Sequence, residues 1–164
     1  MCQQRGGLLE QIDTAHTEAI KRYLTYSVLP AIQAVAQRSA ADPRKLLEEI
    51  KFRWDNHKTM NKWYAKFLRL NHSTMYHVKY QGEEAPSLAD KSLNIFKTHV
   101  YEHIKVGTMD AILGLIEKER DGEIVNKKMI KCVVGLYVKM GMGELDVYES
   151  DFVSFFFMFL PSSL

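Results

Sequence analysis

Apolar side chains recur along this chain in steps of three and four, the spacing that keeps them on one face of an α-helix. The strongest run is Pro43 to Leu70, where Leu46, Ile50, Trp54, Met60, Tyr64 and Phe67 follow one another with charges between them, and only His57 interrupts. Asp42 is placed to accept from the first free backbone amides, and Pro43 sits where a missing N–H does no harm, so the start is well marked. Unbroken to Leu70, such a helix is ~42 Å long at ~1.5 Å per residue.

Upstream, Leu8, Ile12, Ala15, Ala19, Tyr23 and Leu24 predict an earlier helix that runs into Pro30, where a break or kink is expected. A short helical piece, residues 31–37, and a turn through Ser39 to Asp42 follow. Beyond Leu70, Asn71-His-Ser-Thr and the stretch from Gln81 to Pro86 are polar and broken by Gly and Pro, which predicts a connector. Ser87 with Asp90 then resembles a capping box opening a helix that carries Leu93, Phe96, Val100 and Ile104 and stops at Gly107. Thr108 is predicted to cap the next, with Met109, Ile112, Leu113 and Ile116, ending at Asp121-Gly122. Asn126 starts a last helix through Ile130, Val133, Val134, Tyr137 and Val138 to Gly141, with Val125 placed to staple onto Ile130. No stretch alternates with period two for long. The fold class read from the pattern is all-α.

Composition narrows the function. The chain has 164 residues, 46% hydrophobic and 26% charged, enough for one core. A net charge of +2 with mixed signs gives no extended basic stripe, which argues against nucleic acid as a partner. The two cysteines, Cys2 and Cys132, stand far apart and outside any metal-spaced cluster, which fits a reducing compartment. No signal-peptide core follows the single Arg of the N-terminus. The run Val153 to Leu160 is too short to span a bilayer, which takes ~20 apolar residues, so no membrane partner is expected.

His99-Val-Tyr-Glu-His103 has the H-x-x-E-H form in which two histidines hold Zn²⁺ and Glu102 acts as general base, so a small metal-dependent hydrolase on His99, Glu102 and His103 is the alternative reading. It needs a third protein ligand, and no downstream acidic motif stands out for that role. With no phosphate loop, nucleophile elbow or carboxylate pair either, the expectation is a non-enzyme with no metal and no cofactor. His57 reads as a hydrogen-bonded packing residue.

The motifs that carry a family resemblance begin at Leu115-Ile-Glu-Lys-Glu-Arg-Asp-Gly-Glu-Ile and continue through Met129 to Gly143 and on to Tyr148-Glu-Ser-Asp-Phe152. With Tyr23-Leu-Thr-Tyr-Ser-Val-Leu-Pro-Ala-Ile32 and Phe52-Arg-Trp-Asp-Asn-His-Lys-Thr-Met60, their order and spacing resemble the cullin family, closest to its plant cullin-1 type. The resemblance covers roughly Leu8 to Phe152. It implies a helical solenoid fragment: residues 1–80 a partial first cullin-like repeat, 81–152 a second, and 153–164 an apolar tail outside the family.

It also implies a non-catalytic scaffold of cullin-RING ubiquitin ligases in ubiquitin-dependent protein degradation, acting in cytoplasm and nucleus. The implied protein partner is a BTB-fold adaptor of SCF-type ligases, bound through the helix matching Pro43–Leu70, with Thr59, Lys62, Trp63, Lys66 and Leu70 as candidate contacts. This chain departs from the family pattern at Leu70, where an aromatic is common, and in the Asn71-His-Ser-Thr continuation. A further adaptor-gripping helix of the family precedes the segment matching Leu8 and has no counterpart here, and the RING-recruiting region has none after Phe152. A truncated cullin with weak adaptor binding is therefore the expectation.

Overall fold

The computed structural model describes residues 2–39, 42–72 and 88–140, with the side chains of 2–10, Asp13, 67–72, Leu88 and Ala89 left aside. Every element among them is helical. In chain order they are α1 (Cys2–Tyr23), a π-helical turn (Leu24–Val28), α2 (Leu29–Arg38), α3 (Pro43–His72), α4 (Leu88–Phe96), a second π-helical turn (Lys97–Tyr101), α5 (Glu102–Arg120) and α6 (Lys127–Met140). The residues flanking both π turns stay in helical conformation, so each turn joins its neighbours into one rod: α1 with α2, and α4 with α5.

Two sequence expectations fail at these rods. Pro30 does not break the first one. The Leu29 N–H reaches back to the Leu24 carbonyl, five residues away, and this wider turn places Pro30 within the first turn of α2, where its missing N–H is tolerated. Gly107 does not end the second. It lies inside α5 with open space where a Cβ would be, and the Thr108 hydroxyl donates to the Ile104 carbonyl at 2.7 Å instead of capping a new helix.

The π turns leave a signature in the buried positions. Ile20, Leu24, Val28 and Ile32 are buried in the first rod, and Ser92, Phe96, Val100 and Ile104 in the second, all in strict steps of four. In a plain α-helix three such steps would carry the stripe about 120° around the axis. One extra residue per π turn removes about 100° of that drift, so each stripe stays on one face. The two sets are related position by position through a shift of 72 residues, Ile20 to Ser92 and so on, and the two rods are thus copies of one design.

Packing follows the same correspondence. α1 lies against α4, the two π turns against each other, and α2 against α5, so the rods run side by side in the same direction. A Thr25–His99 hydrogen bond of 3.2 Å joins the two π turns. Helix α3 then returns along both rods and touches α2, α4, α5 and α6. It begins as the sequence predicts, with the Arg44 N–H donating to the Asp42 carboxylate at 3.2 Å. Leu47, Ile50, Trp54 and His57 are its buried face. Trp54 packs its ring 4.9 Å from Phe96.

The end of α5 is closed by a left-handed glycine. Gly122 has φ +92°, its N–H donates to the Glu119 carbonyl at 3.0 Å, and the Glu123 N–H donates to the Lys118 carbonyl at 2.9 Å. This paired arrangement satisfies the last carbonyls of the helix. Asn126 caps α6 by accepting from the Met129 N–H at 3.1 Å, and α6 is fastened to α5 by the Tyr137 hydroxyl, which donates to the Lys105 carbonyl at 2.6 Å. Ser87, Gly141 and residues 153–164 lie outside the described residues. No helix among the described residues is long and apolar enough to cross a membrane.

One face assignment is corrected in α1. Ile12, Ala15, Ala19 and Tyr23 are exposed, while Ile20 and Leu24 are buried. Two apolar stripes exist on this helix, and the one that carries Ile20 and Leu24 is the one that enters the core. Leu8 lies among the side chains left aside.

Candidate functional site

Helix α3 is held firmly on its inner side, and this fixes what it shows outside. His57 is 1% exposed, with its Nε2–H shared between the Ser92 carbonyl at 3.3 Å and the Ser92 hydroxyl at 3.2 Å. The Ser92 hydroxyl in turn donates to the Asn61 side-chain carbonyl at 2.6 Å. Removal from water lowers the pKa of His57 to about 4, against a weaker upward pull from the Ser92 bond, so the ring is neutral at pH 7. A stack of His16 on Tyr64, centroids 3.2 Å apart, ties α1 to the next turns of α3.

On the outer side, Thr59, Lys62, Trp63 and Lys66 are all exposed, so four of the five predicted contact residues share one face. The Leu70 side chain lies outside the described residues. Trp63 is 64% exposed, and the Lys66 ammonium sits over its ring, 4.8 Å from the centroid, a cation–π contact. The Thr59 hydroxyl donates to the Asp55 carbonyl at 2.9 Å.

The exposed stripe is longer than the sequence predicts. Phe52 and Asn56 precede Thr59 at spacings of four and three, so 52, 56, 59, 63 and 66 form one seam, with Phe52 55% exposed beneath Arg53 at 5.5 Å. Its signal was available as the alternation of fours and threes on the side opposite Ile50 and Trp54. Between seam and core, Asp55 binds Lys51 at 2.8 Å and Lys58 at 2.7 Å. Partial burial pushes its carboxyl pKa up, but these two bonds outweigh that and hold it below the ordinary value.

The H-x-x-E-H pattern is drawn into other contacts. His99 bonds to Thr25 across the rods, Glu102 pairs with Lys105 at 3.0 Å, and His103 is exposed. Among the described residues no group of three His, Cys, Asp or Glu side chains is gathered that could hold a metal ion. The hydrolase alternative gains no support.

Paired helical rods repeated at a 72-residue step, with a return helix across both, are the architecture of an α-solenoid. The sequence matches the Cullin alpha solenoid domain over residues 1–158. This chain belongs to the cullin family. Among curated cullins it is similar to Putative cullin-like protein 2 of Arabidopsis thaliana, 35% identical over 155 residues, which cover 94% of this chain and 39% of that protein. It is likewise similar to Cullin-1 of Oryza sativa subsp. japonica, 31% identical over 94% of this chain and 20% of the relative, and to Cullin-like protein 3 of Arabidopsis thaliana, 31% identical over 87% and 52%. The chain therefore spans about a fifth to a half of the length of these relatives.

Proposed function

We propose that this cullin chain is a non-catalytic scaffold segment of a cullin-RING ubiquitin ligase, and that it presents the outer seam of α3 to a BTB-fold adaptor. The observation that supports this reading is Trp63, a large apolar ring exposed on a helix whose opposite face is immobilised by Leu47, Ile50, Trp54 and His57. Exposed tryptophans on rigid supports are favoured anchors of protein interfaces. Thr59, Lys62 and Lys66 flank it and supply the polar rim, and Leu70 is kept in the proposed surface as an apolar contact from its place in the sequence.

One helix seam of this length offers less than the ~1,200 Å² that specific interfaces usually bury in total, and the loss of translational and rotational freedom does not shrink with area. Micromolar or weaker affinity is therefore expected. Calorimetric titration with a purified BTB-fold adaptor of an SCF-type ligase tests this, and Trp63→Ala should weaken binding about tenfold or more. Nanomolar affinity would refute the weak-binding claim, and binding indifferent to Trp63→Ala and Lys62→Glu would remove the surface.

A further inference from the structure

A concave surface lies around the edge of α3 from the seam. It is a groove of about 400 Å³ between α3, α4 and α6, lined by Trp54, Lys58, Asn61, Lys62, Ala65, Asp90, Leu93 and Lys139. Its floor is apolar, made by the edge of Trp54 with Leu93 and Ala65, and its rim is cationic, with three lysines against one aspartate. Lys58 leans over Trp54 at 5.7 Å from the ring centroid, and its pairing with Asp55 is a solvent-exposed ion pair of the kind that is readily exchanged for another anion. The cationic character is local: Lys58, Lys62 and Lys139 meet at this groove although the chain as a whole has no extended basic stripe.

From this charge and shape we infer that the groove docks an acidic segment of a partner protein that carries an apolar side chain. The lysines on two facing helices would take the carboxylates, and the floor would take the apolar residue. A bare polyanion would use the lysines alone and leave Leu93 idle, and a nucleic-acid base has no open face of Trp54 to stack on, since that ring is 4% exposed, which is why a protein segment fits better than a nucleic acid. Lys62 borders both surfaces, but the inference does not rest on the adaptor reading, because Lys58 and Lys139 lie outside the seam.

The test is fluorescence anisotropy of the full chain with a labelled dodecapeptide of glutamates bearing one central leucine. Three probes accompany it: the all-glutamate peptide, a peptide with glutamine in place of each glutamate, and a single-stranded oligonucleotide. The leucine-bearing acidic peptide should bind, and should bind several-fold more tightly than the all-glutamate one. The glutamine peptide should bind at least tenfold more weakly. The double variant Lys58→Gln, Lys139→Gln should weaken binding about tenfold with an unchanged far-ultraviolet dichroism spectrum, whereas Trp63→Ala should leave it intact. Equal binding of the glutamine peptide, indifference to the double variant, or no binding at millimolar peptide would overturn the inference. An oligonucleotide that binds as tightly with the same lysine dependence would overturn it in favour of a general polyanion surface.

Discussion

At the scale of single residues, His57 has the most to say about stability. It packs against both Trp54 and Phe96, ring centroids 5.8 and 4.8 Å away, and among the described residues its Nδ1 has no hydrogen-bond partner. Burial lowers its pKa from 6.5 to about 4, so between these values the unfolded chain takes up a proton that the folded chain refuses. The contribution is fully present above pH 6.5 and is lost as pH falls toward 4, with a slope of up to about 1.4 kcal/mol per pH unit. Urea midpoints measured between pH 7 and 4.5 should therefore fall less steeply for His57→Gln than for the parent, whatever the variant loses at pH 7. Parallel slopes would show that His57 titrates normally. Next to it, Trp54→Ala should remove about 3 to 5 kcal/mol, a large part of the stability of a domain this size, because the ring is 4% exposed and packs on both His57 and Phe96. An unchanged denaturation midpoint would contradict that packing.

At the scale of elements, two glycines separate helix interior from helix end. Gly107 is exposed within α5 with room for a methyl group, so Gly107→Ala should stabilise by about 0.5 to 1 kcal/mol. Gly122 holds φ +92°, where a Cβ is strained, so Gly122→Ala should destabilise by about 1 kcal/mol. Thermal unfolding of both variants decides the pair, and shifts of the same sign would show that one glycine is misplaced. The same two residues show what was legible in the sequence. Asp121-Gly122 and Asn126 announced their turn and cap through local chemistry that nothing distant opposes. Gly107 and Pro30 read as breaks by the same local logic, and there packing won: Val100, Ile104, Thr108 and Ile112 bury one continuous face, and Leu24, Val28 and Ile32 another. The stripe 12, 15, 19, 23 was misread because helical period alone cannot choose between two apolar faces of α1. Trp63 and Lys66 were legible as outward residues because they stand opposite Ile50 and Trp54.

At the scale of the whole molecule, α3 touches both rods, and its buried face is completed by Phe96 from one and by Leu24, Val28 and Ile32 in the same core from the other. The two copies of the rod design therefore share their interior, and unfolding should be a single transition. Dichroism at 222 nm and tryptophan fluorescence should report one midpoint, and Leu47→Ala, at a fully buried position of α3 that leaves both tryptophans in place, should shift both equally. Two separated transitions would mean that each rod is stable alone. Nothing local in the sequence states this sharing, because it arises from the return of α3 across residues that are far apart in the chain.

The matched π turns carry a consequence for how this sequence can change. Each amounts to one residue inserted into a helix, and removing it would turn the four-four-four spacing of buried positions into four-three-four, the natural rhythm of a plain α-helix. In the second rod, loss of exposed Thr98 would thus keep Phe96, Val100 and Ile104 on one face. In the first, loss of exposed Ser27 would press the Pro30 ring against an ordinary helical turn, an arrangement that costs about 3 kcal/mol. One copy of the design is free to shed its extra residue, while the other is bound to it by a single proline.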